Sequence, residues 1–155
     1  MRPVPLDRTD RELLKLLQQN NRRPLRAMAA ELGISAPTCL RRVRRLEAQR
    51  VIRAHSALLD PARLGFGVLA FVEVTLVEAS GSDMLAFERR LERCAEVLQC
   101  AELAGDVDYL VTVLTRGMPE FADFTRRYLG DDRRVRSYRS LLVLRQTKNN
   151  HVLPV

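Results

Sequence analysis

Residues 29–43 constrain the chain most tightly: Ala29, then Gly33-Ile34-Ser35, then Cys39 and Val43. Ala29 is small where two helices must approach closely. Gly33 supplies the left-handed position that ends one helix. Ile34 follows as an apolar plug, and the Ser35 hydroxyl caps the next helix. Cys39 and Val43 then fall on the inward side of that helix. A small residue, a glycine turn and apolar residues at these spacings are what a helix-turn-helix requires. Upstream, Asp7 is a capping residue for a first helix, with Asp10 at its third position favoured by the helix dipole. Leu13, Leu14 and Leu17 recur at helical spacing, and Asn20-Asn21 ends the element. Pro24 suits the first turn of a second helix through Met28, Ala29 and Leu32. Pro37 is tolerated early in the third, because first-turn amides have no helical partner.

At about 100° per residue, Cys39, Leu40, Val43 and Leu46 cluster on one face of the third helix. Thr38, Arg41 and Arg45 point the opposite way, with Arg42 and Arg44 flanking them. The planar guanidinium fork pairs bidentately with guanine or clamps phosphate. A recognition helix uses its N-terminal residues on bases, so Ser35, Ala36, Pro37, Thr38 and Arg41 are expected nearest the base edges. Arg42, Arg44 and Arg45 are expected on phosphates, setting affinity and register. An arginine run by itself reads equally well as a solvated basic face. The distribution of charge favours the nucleic-acid reading. Residues 1–60 hold 13 of the 26 basic and 6 of the 19 acidic residues, a net of +7, whereas the remaining 13 and 13 cancel. A basic module joined to a neutral one suggests that the first meets a polyanion. Cys39, facing inward, reads as an inert core thiol before a redox sensor.

Composition excludes several classes. At 155 residues and 46% apolar, the chain can bury a core as one domain or two small ones. It has no apolar run of the ~18 residues a membrane helix needs, and no N-terminal h-region. A soluble, cytoplasmic protein is expected. Three cysteines, Cys39, Cys94 and Cys100, make no disulfide framework, and with His55 and His151 far apart a metal site is unsupported. Nor does any nucleophile triad, Walker loop or GxGxxG stretch appear.

Val51 to Leu58 reads as an extended hinge strand broken at Asp60-Pro61, with His55 a surface residue of the hinge. From Phe66 the period becomes two. Phe66, Val68, Ala70, Val72, Val74 and Leu76 share one face of a strand; Leu69, Phe71 and Val77 share the other. The second apolar face needs another cover, most simply another subunit's sheet. Ser80-Gly81-Ser82 is a turn and cap for a helix bearing Met84, Phe87 and Leu91. Strands are predicted near 97–104 and 107–115, a helix from Pro119 carrying Phe121, Phe124 and Tyr128, and a last strand near 137–144. The order β-α-β-β-α-β is that of a ferredoxin-like sandwich. On residue chemistry alone, Gly105-Asp106-Val107-Asp108 is an ordinary turn between paired strands.

Six stretches, in chain order, carry a resemblance. They are Leu6-Asp7-Arg8 with Asp10-Arg11; Leu32-Gly33-Ile34-Ser35; Cys39-Leu40-Arg41-Arg42-Val43-Arg44-Arg45-Leu46-Glu47; Ala57-Leu58-Leu59-Asp60-Pro61; Phe71-Val72-Glu73-Val74-Thr75-Leu76; and Gly105-Asp106-Val107-Asp108-Tyr109. Together they resemble the Lrp/AsnC family of bacterial and archaeal transcription regulators, the feast/famine proteins. The resemblance implies an α+β chain: an N-terminal winged helix-turn-helix domain with hinge strand over 1–60, and a C-terminal ferredoxin-like βαββαβ domain of RAM type over 61–155. It implies sequence-specific binding of double-stranded DNA, no enzyme activity and no cofactor. Implied partners are a second copy in a homodimer, assembly to octamers, and an amino-acid effector at a subunit interface. The matching effector positions are Gly105, Asp106, Asp108, Tyr109 and Met118, with Leu141 and Leu142 as apolar lining. Tyr138-Arg139-Ser140-Leu141-Leu142 departs from the familiar pattern, and Arg139 brings an extra positive charge toward that pocket. Two rival readings remain. One is an architectural DNA-binding protein without an effector. The other is an enzyme like the sirohaem decarboxylases, which would want histidines and arginines converging on the pocket; this chain has only His55 in the hinge and His151 in the tail.

Overall fold

Asp7 and Asp10 close a capping box at the start of α1 (Arg8–Gln19): the Asp7 side chain accepts from the Asp10 amide at 2.7 Å, and the Asp10 side chain accepts from the Asp7 amide at 3.2 Å. Asn20 forms the C-cap. Pro24 stands at the N-cap of α2 (Leu25–Glu31), one residue earlier in the cap than the first-turn position expected. Gly33 then adopts φ +63°, and a Cβ there would meet no atom within 4 Å. The left-handed backbone, not crowding, is therefore what demands glycine. Ser35 caps α3 (Ala36–Ala48). Leu13, Leu14, Leu16, Met28, Ala29, Cys39, Val43 and Leu46 form a buried cluster between these helices.

The computed structural model describes residues 3–78, 80–150 and 152–155; His151 lies outside them. The chain divides into two compact units, 1–58 with 148–155, and 59–147. A single cut at residue 60 thus needs amendment, since the tail belongs with the first unit. The Gln18 amide clasps it, donating to the Leu153 carbonyl at 3.1 Å and accepting from the Leu153 amide at 2.6 Å. Val155 packs against the helical core. The expected hinge strand over 51–58 is also corrected: among the described residues the first unit has no strand. An extended segment needs a ladder partner for its amides and carbonyls, and one chain offers none here. The Ser56 carbonyl is instead met by the Asn21 side-chain amide at 3.1 Å.

The second unit runs β1 (Val68–Leu76), α4 (Gly81–Glu92), β2 (Val97–Glu102), β3 (Tyr109–Thr115), α5 (Met118–Thr125) and β4 (Val135–Leu142), with α5 prolonged by a wide turn over Arg126–Gly130. The four antiparallel strands lie in the order β2-β3-β1-β4, the ferredoxin-like arrangement. Strand alternation sorts the side chains. Ala70, Val72, Val74 and Leu76 with Tyr109, Val111 and Val113 are buried against Phe87, Leu91, Phe121, Phe124 and Leu129 of the helix layer. On the opposite face, Leu69, Phe71, Leu110 and Leu114 are only half-buried and Leu141 is exposed.

Buried Asp132 closes the turn into β4: Arg134 donates through Nε to Oδ1 at 2.8 Å and through Nη2 to Oδ2 at 2.7 Å. This bonding holds the Asp132 carboxyl below its ordinary value of 3.8, against the opposing pull of burial. A depressed folded-state value means stabilisation that is full above 3.8 and lost as pH falls through the folded value. Asp132→Asn should therefore cost about 1–3 kcal/mol at neutral pH. The gap from wild type should narrow as both are acidified below about pH 4. Thermal melts across that range measure both effects.

Candidate nucleic-acid interface and effector loop

The cap of α3 sets its leading turn. The Ser35 hydroxyl accepts from the Thr38 amide at 3.3 Å and donates to the Thr38 hydroxyl at 2.9 Å. Ser35 and Pro37 are exposed, and Ala36 and Thr38 are half-buried. Arg41 and Arg44 are exposed, and neither is ion-paired among the described residues. These side chains form an open, positively charged surface on the first three turns of a rigid helix.

The four arginines do not share one role. Arg42 lies inward: its Nη1 donates to Asp7 Oδ2 at 2.6 Å and to Asp10 Oδ1 at 2.8 Å. Asp10 is 1% exposed and also takes a bond from Arg45 on its second oxygen. A buried carboxylate without these cations would carry a large desolvation cost. The same bond holds Asp7 below the ordinary carboxylate range and raises Arg42. Arg42 is thus a tie between α1 and α3, which corrects its assignment as a phosphate contact. Arg45 stays partly exposed, with one nitrogen committed to Asp10. Sequence reasoning missed Asp10 as an anchor, although it stands at an inward position of the 10, 13, 14, 17 stripe. Leu40, expected on the inward face, is 37% exposed, because Cys39, Val43 and Leu46 already fill that face. His55, expected without a partner, meets Glu47 at 3.0 Å.

The expected effector residues do not converge within one chain. Gly105 and Asp106 are exposed in the loop joining β2 to β3, and a Cβ at Gly105 would meet open space. The Asp108 carboxylate accepts from the Leu76 amide at 2.7 Å, tying the loop to the end of β1. Tyr109 is corrected as a loop ligand. It is in phase with Val111 and Val113, so its ring turns into the helix layer, 5.1 Å from Phe87. Its hydroxyl donates to Glu88 Oε1 at 2.9 Å, and burial together with that bond pushes its pKa up. It lines a cleft of about 430 Å³ with Glu88, Leu98, Cys100 and Glu102, among others. There, burial and the Glu88 carboxylate push the Cys100 thiol up to about 11. Met118 opens α5 beyond the far end of β3, about 20 Å from the loop at the rise of a β-strand. Leu141 pairs with Phe71 and Leu142 with Ala70, so these two side chains take opposite faces of the sheet and cannot line one pocket together. Arg139 is ion-paired on the open face: its Nη2 lies 2.7 Å from Glu73, which stands opposite Leu110. Among the described residues, no group of three His, Cys, Asp or Glu side chains could hold a metal ion.

A capped helix-turn-helix with an arginine-bearing third helix, joined to a ferredoxin-like unit, defines a DNA-binding regulator class. Comparison with known proteins gives the family. An AsnC-type helix-turn-helix domain model matches residues 6–47, and an Lrp/AsnC ligand binding domain model matches residues 69–153. The chain belongs to the Lrp/AsnC family of transcriptional regulators. It is 36% identical over 146 residues to a leucine-responsive regulatory protein of Rhizobium meliloti, covering 94% of each chain. It is 31% identical over 150 residues to the DNA-binding transcriptional activator DecR of Escherichia coli, covering 97% of this chain and 99% of that one. A transcriptional regulator of Neisseria meningitidis solved in complex with L-Met superposes with a TM-score of 0.91 at 31% identity, over 97% of each chain. These relatives are transcription regulators, not enzymes.

Arg42→Ala should destabilise the first unit by about 1–3 kcal/mol, by stranding part of a buried charge. Arg44→Ala should stay within about 0.5 kcal/mol of wild type. Denaturant titration followed by helical circular dichroism distinguishes them; equal losses would refute the assignment of Arg42 as a tie.

Proposed function

We propose that this regulator inserts the N-terminal half of α3 into the major groove of double-stranded DNA, with Arg41 on bases and Arg44, aided by Arg45, on phosphates. The observation that carries this reading is the exposure of Arg41 and Arg44, unpaired among the described residues, while Asp7 and Asp10 engage Arg42 and Arg45. Ser35, Ala36, Pro37 and Thr38 form the leading turn, where a recognition helix meets base edges. Two such helices in a twofold dimer would read half-sites about one helical turn, ~34 Å, apart. Arg41→Ala should weaken binding to a selected operator more than to random DNA. Arg44→Ala should weaken both alike and flatten the salt dependence by about one unit of slope. Fluorescence anisotropy at several salt concentrations checks this, and identical behaviour of the two variants would refute the division of roles.

The second unit is proposed to join subunits and to hold an amino acid between them. Leu69, Phe71, Leu110, Leu114 and Leu141 make an apolar field around the Glu73–Arg139 pair, which favours a second sheet as cover. The ~20 Å between the 105–108 loop and Met118 favours a site completed by another subunit, since one chain cannot close it. Loop amides at Gly105 and Asp106 suit a ligand carboxylate, and the Asp106 carboxylate suits its ammonium. The Neisseria meningitidis relative solved with L-Met supports an amino acid as the class of effector. Dimers are proposed to assemble further to octamers, in the cytoplasm, where the DNA target lies. An effector can shift that assembly only through unequal affinity for two states. Calorimetry should show heat from at least one common amino acid with the wild-type chain. It should show none with Phe71→Glu, which should sediment as a monomer. No heat from any amino acid would leave a DNA-binding protein without an effector.

A further inference from the structure

We propose that Leu40 is a specificity-determining residue that reads thymine C5-methyl groups in the major groove. This rests on the docking of α3 proposed above and adds a residue that neither charge nor capping singles out. Of the apolar side chains along α3, Cys39, Val43 and Leu46 are 0%, 9% and 0% exposed, whereas Leu40 is 37% exposed. Its helical neighbours on the surface are Pro37 three residues before and Arg44 four after, both exposed, while exposed Arg41 follows about 100° around the helix. The patch is therefore an apolar centre with two guanidiniums at its edge, neither ion-paired to a carboxylate among the described residues.

The occupant of such a patch must be anionic and must also present an apolar group at helix-contact distance. A duplex supplies both features. Its phosphates answer Arg41 and Arg44, and the thymine methyl is the apolar group exposed on the floor of the major groove. Leu40 sits one turn into the helix, level with the base-reading positions, so its isobutyl group can cover a methyl while Arg41 reaches an adjacent base edge. The contact has direction as well as affinity: a cytosine at the same position offers an amino group that leucine leaves unpaired.

Replacing thymine by deoxyuridine removes only that methyl. The operator is first selected from random duplexes with the full-length wild-type protein. Each thymine in a half-site is then replaced singly by deoxyuridine. With wild type, at least one replacement should weaken binding roughly fourfold, the worth of about one buried methyl. Leu40→Ala should bind the selected operator more weakly and be indifferent to that same replacement. Leu40→Met, which keeps the apolar volume, should restore the sensitivity. Circular dichroism and undiminished low-salt binding to random DNA establish that the variants are folded. Equal sensitivity of wild type and Leu40→Ala overturns the proposal, as does indifference of wild type at every thymine or a half-site lacking thymine. Failure of wild type to bind any duplex would instead overturn the docking of α3 itself, and Leu40 with it.

Discussion

A carboxylate in a helical core must be neutralised or it unfolds what surrounds it. Asp10 is buried at 1% exposure, caps the helix it belongs to, and accepts bonds from Arg42 and Arg45. The apolar cluster around Leu13, Cys39 and Leu46 supplies the burial, but apolar packing is non-directional. Two guanidiniums on one carboxylate supply the direction. They fix the rotation of α3 about its axis relative to α1, so that Arg41 and Arg44 face outward. The leading turn of α3 is stiffened at the same time by the Ser35 cap. The exposed leading surface of α3 is thus preorganised by ion pairs to the start of α1.

The second unit applies one geometric rule to two tasks. Successive residues of β1 face alternately toward the helices and away from them, so one nine-residue strand helps build a core on one side and an open, partly apolar field on the other. The helix side is closed within the chain by Phe87, Leu91, Phe121 and Phe124. The other side keeps Leu69 and Phe71 half-buried beside an ion pair between β1 and β4. Edge strands β2 and β4 bound that field, and the 103–108 loop hangs from one end of it. A unit of this kind closes its core on one face of the sheet and leaves a partly apolar face open on the other.

Much of this was legible from residue order because it depends on local chemistry. Asp7, Gly33 and Ser35 announce caps and a turn through short-range bonds, and the structure has each in that role. The alternation of Ala70, Val72, Val74 and Leu76 announces a strand with one buried face. The errors share a cause. Arg42 was assigned to DNA because a helical wheel records angle but not partner; it lies about 70° from the inward centre, where only Asp7 and Asp10 on another helix make burial tolerable. Leu40 stands at the margin of the same wheel's apolar face, about 95° from the centre set by Cys39, Val43 and Leu46, and the inward stripe is already full. Tyr109, Leu141 and Leu142 were gathered into one pocket by likeness of motif, whereas strand parity sends them to different faces.

The amino-acid sequence by itself determined the helix-turn-helix, the order of strands and helices, the basic character of the first unit and the two-faced strand, since capping, periodicity and charge act over a few residues. Only the tertiary structure decided which arginines are free, where the C-terminal tail belongs and which effector candidates can meet. Those outcomes depend on pairs far apart in the chain, such as Asp10 with Arg42, Gln18 with Leu153 and Glu73 with Arg139. The physical reason is that a long-range pair forms only when folding has already brought its partners together, so nothing in the neighbourhood of either residue records it.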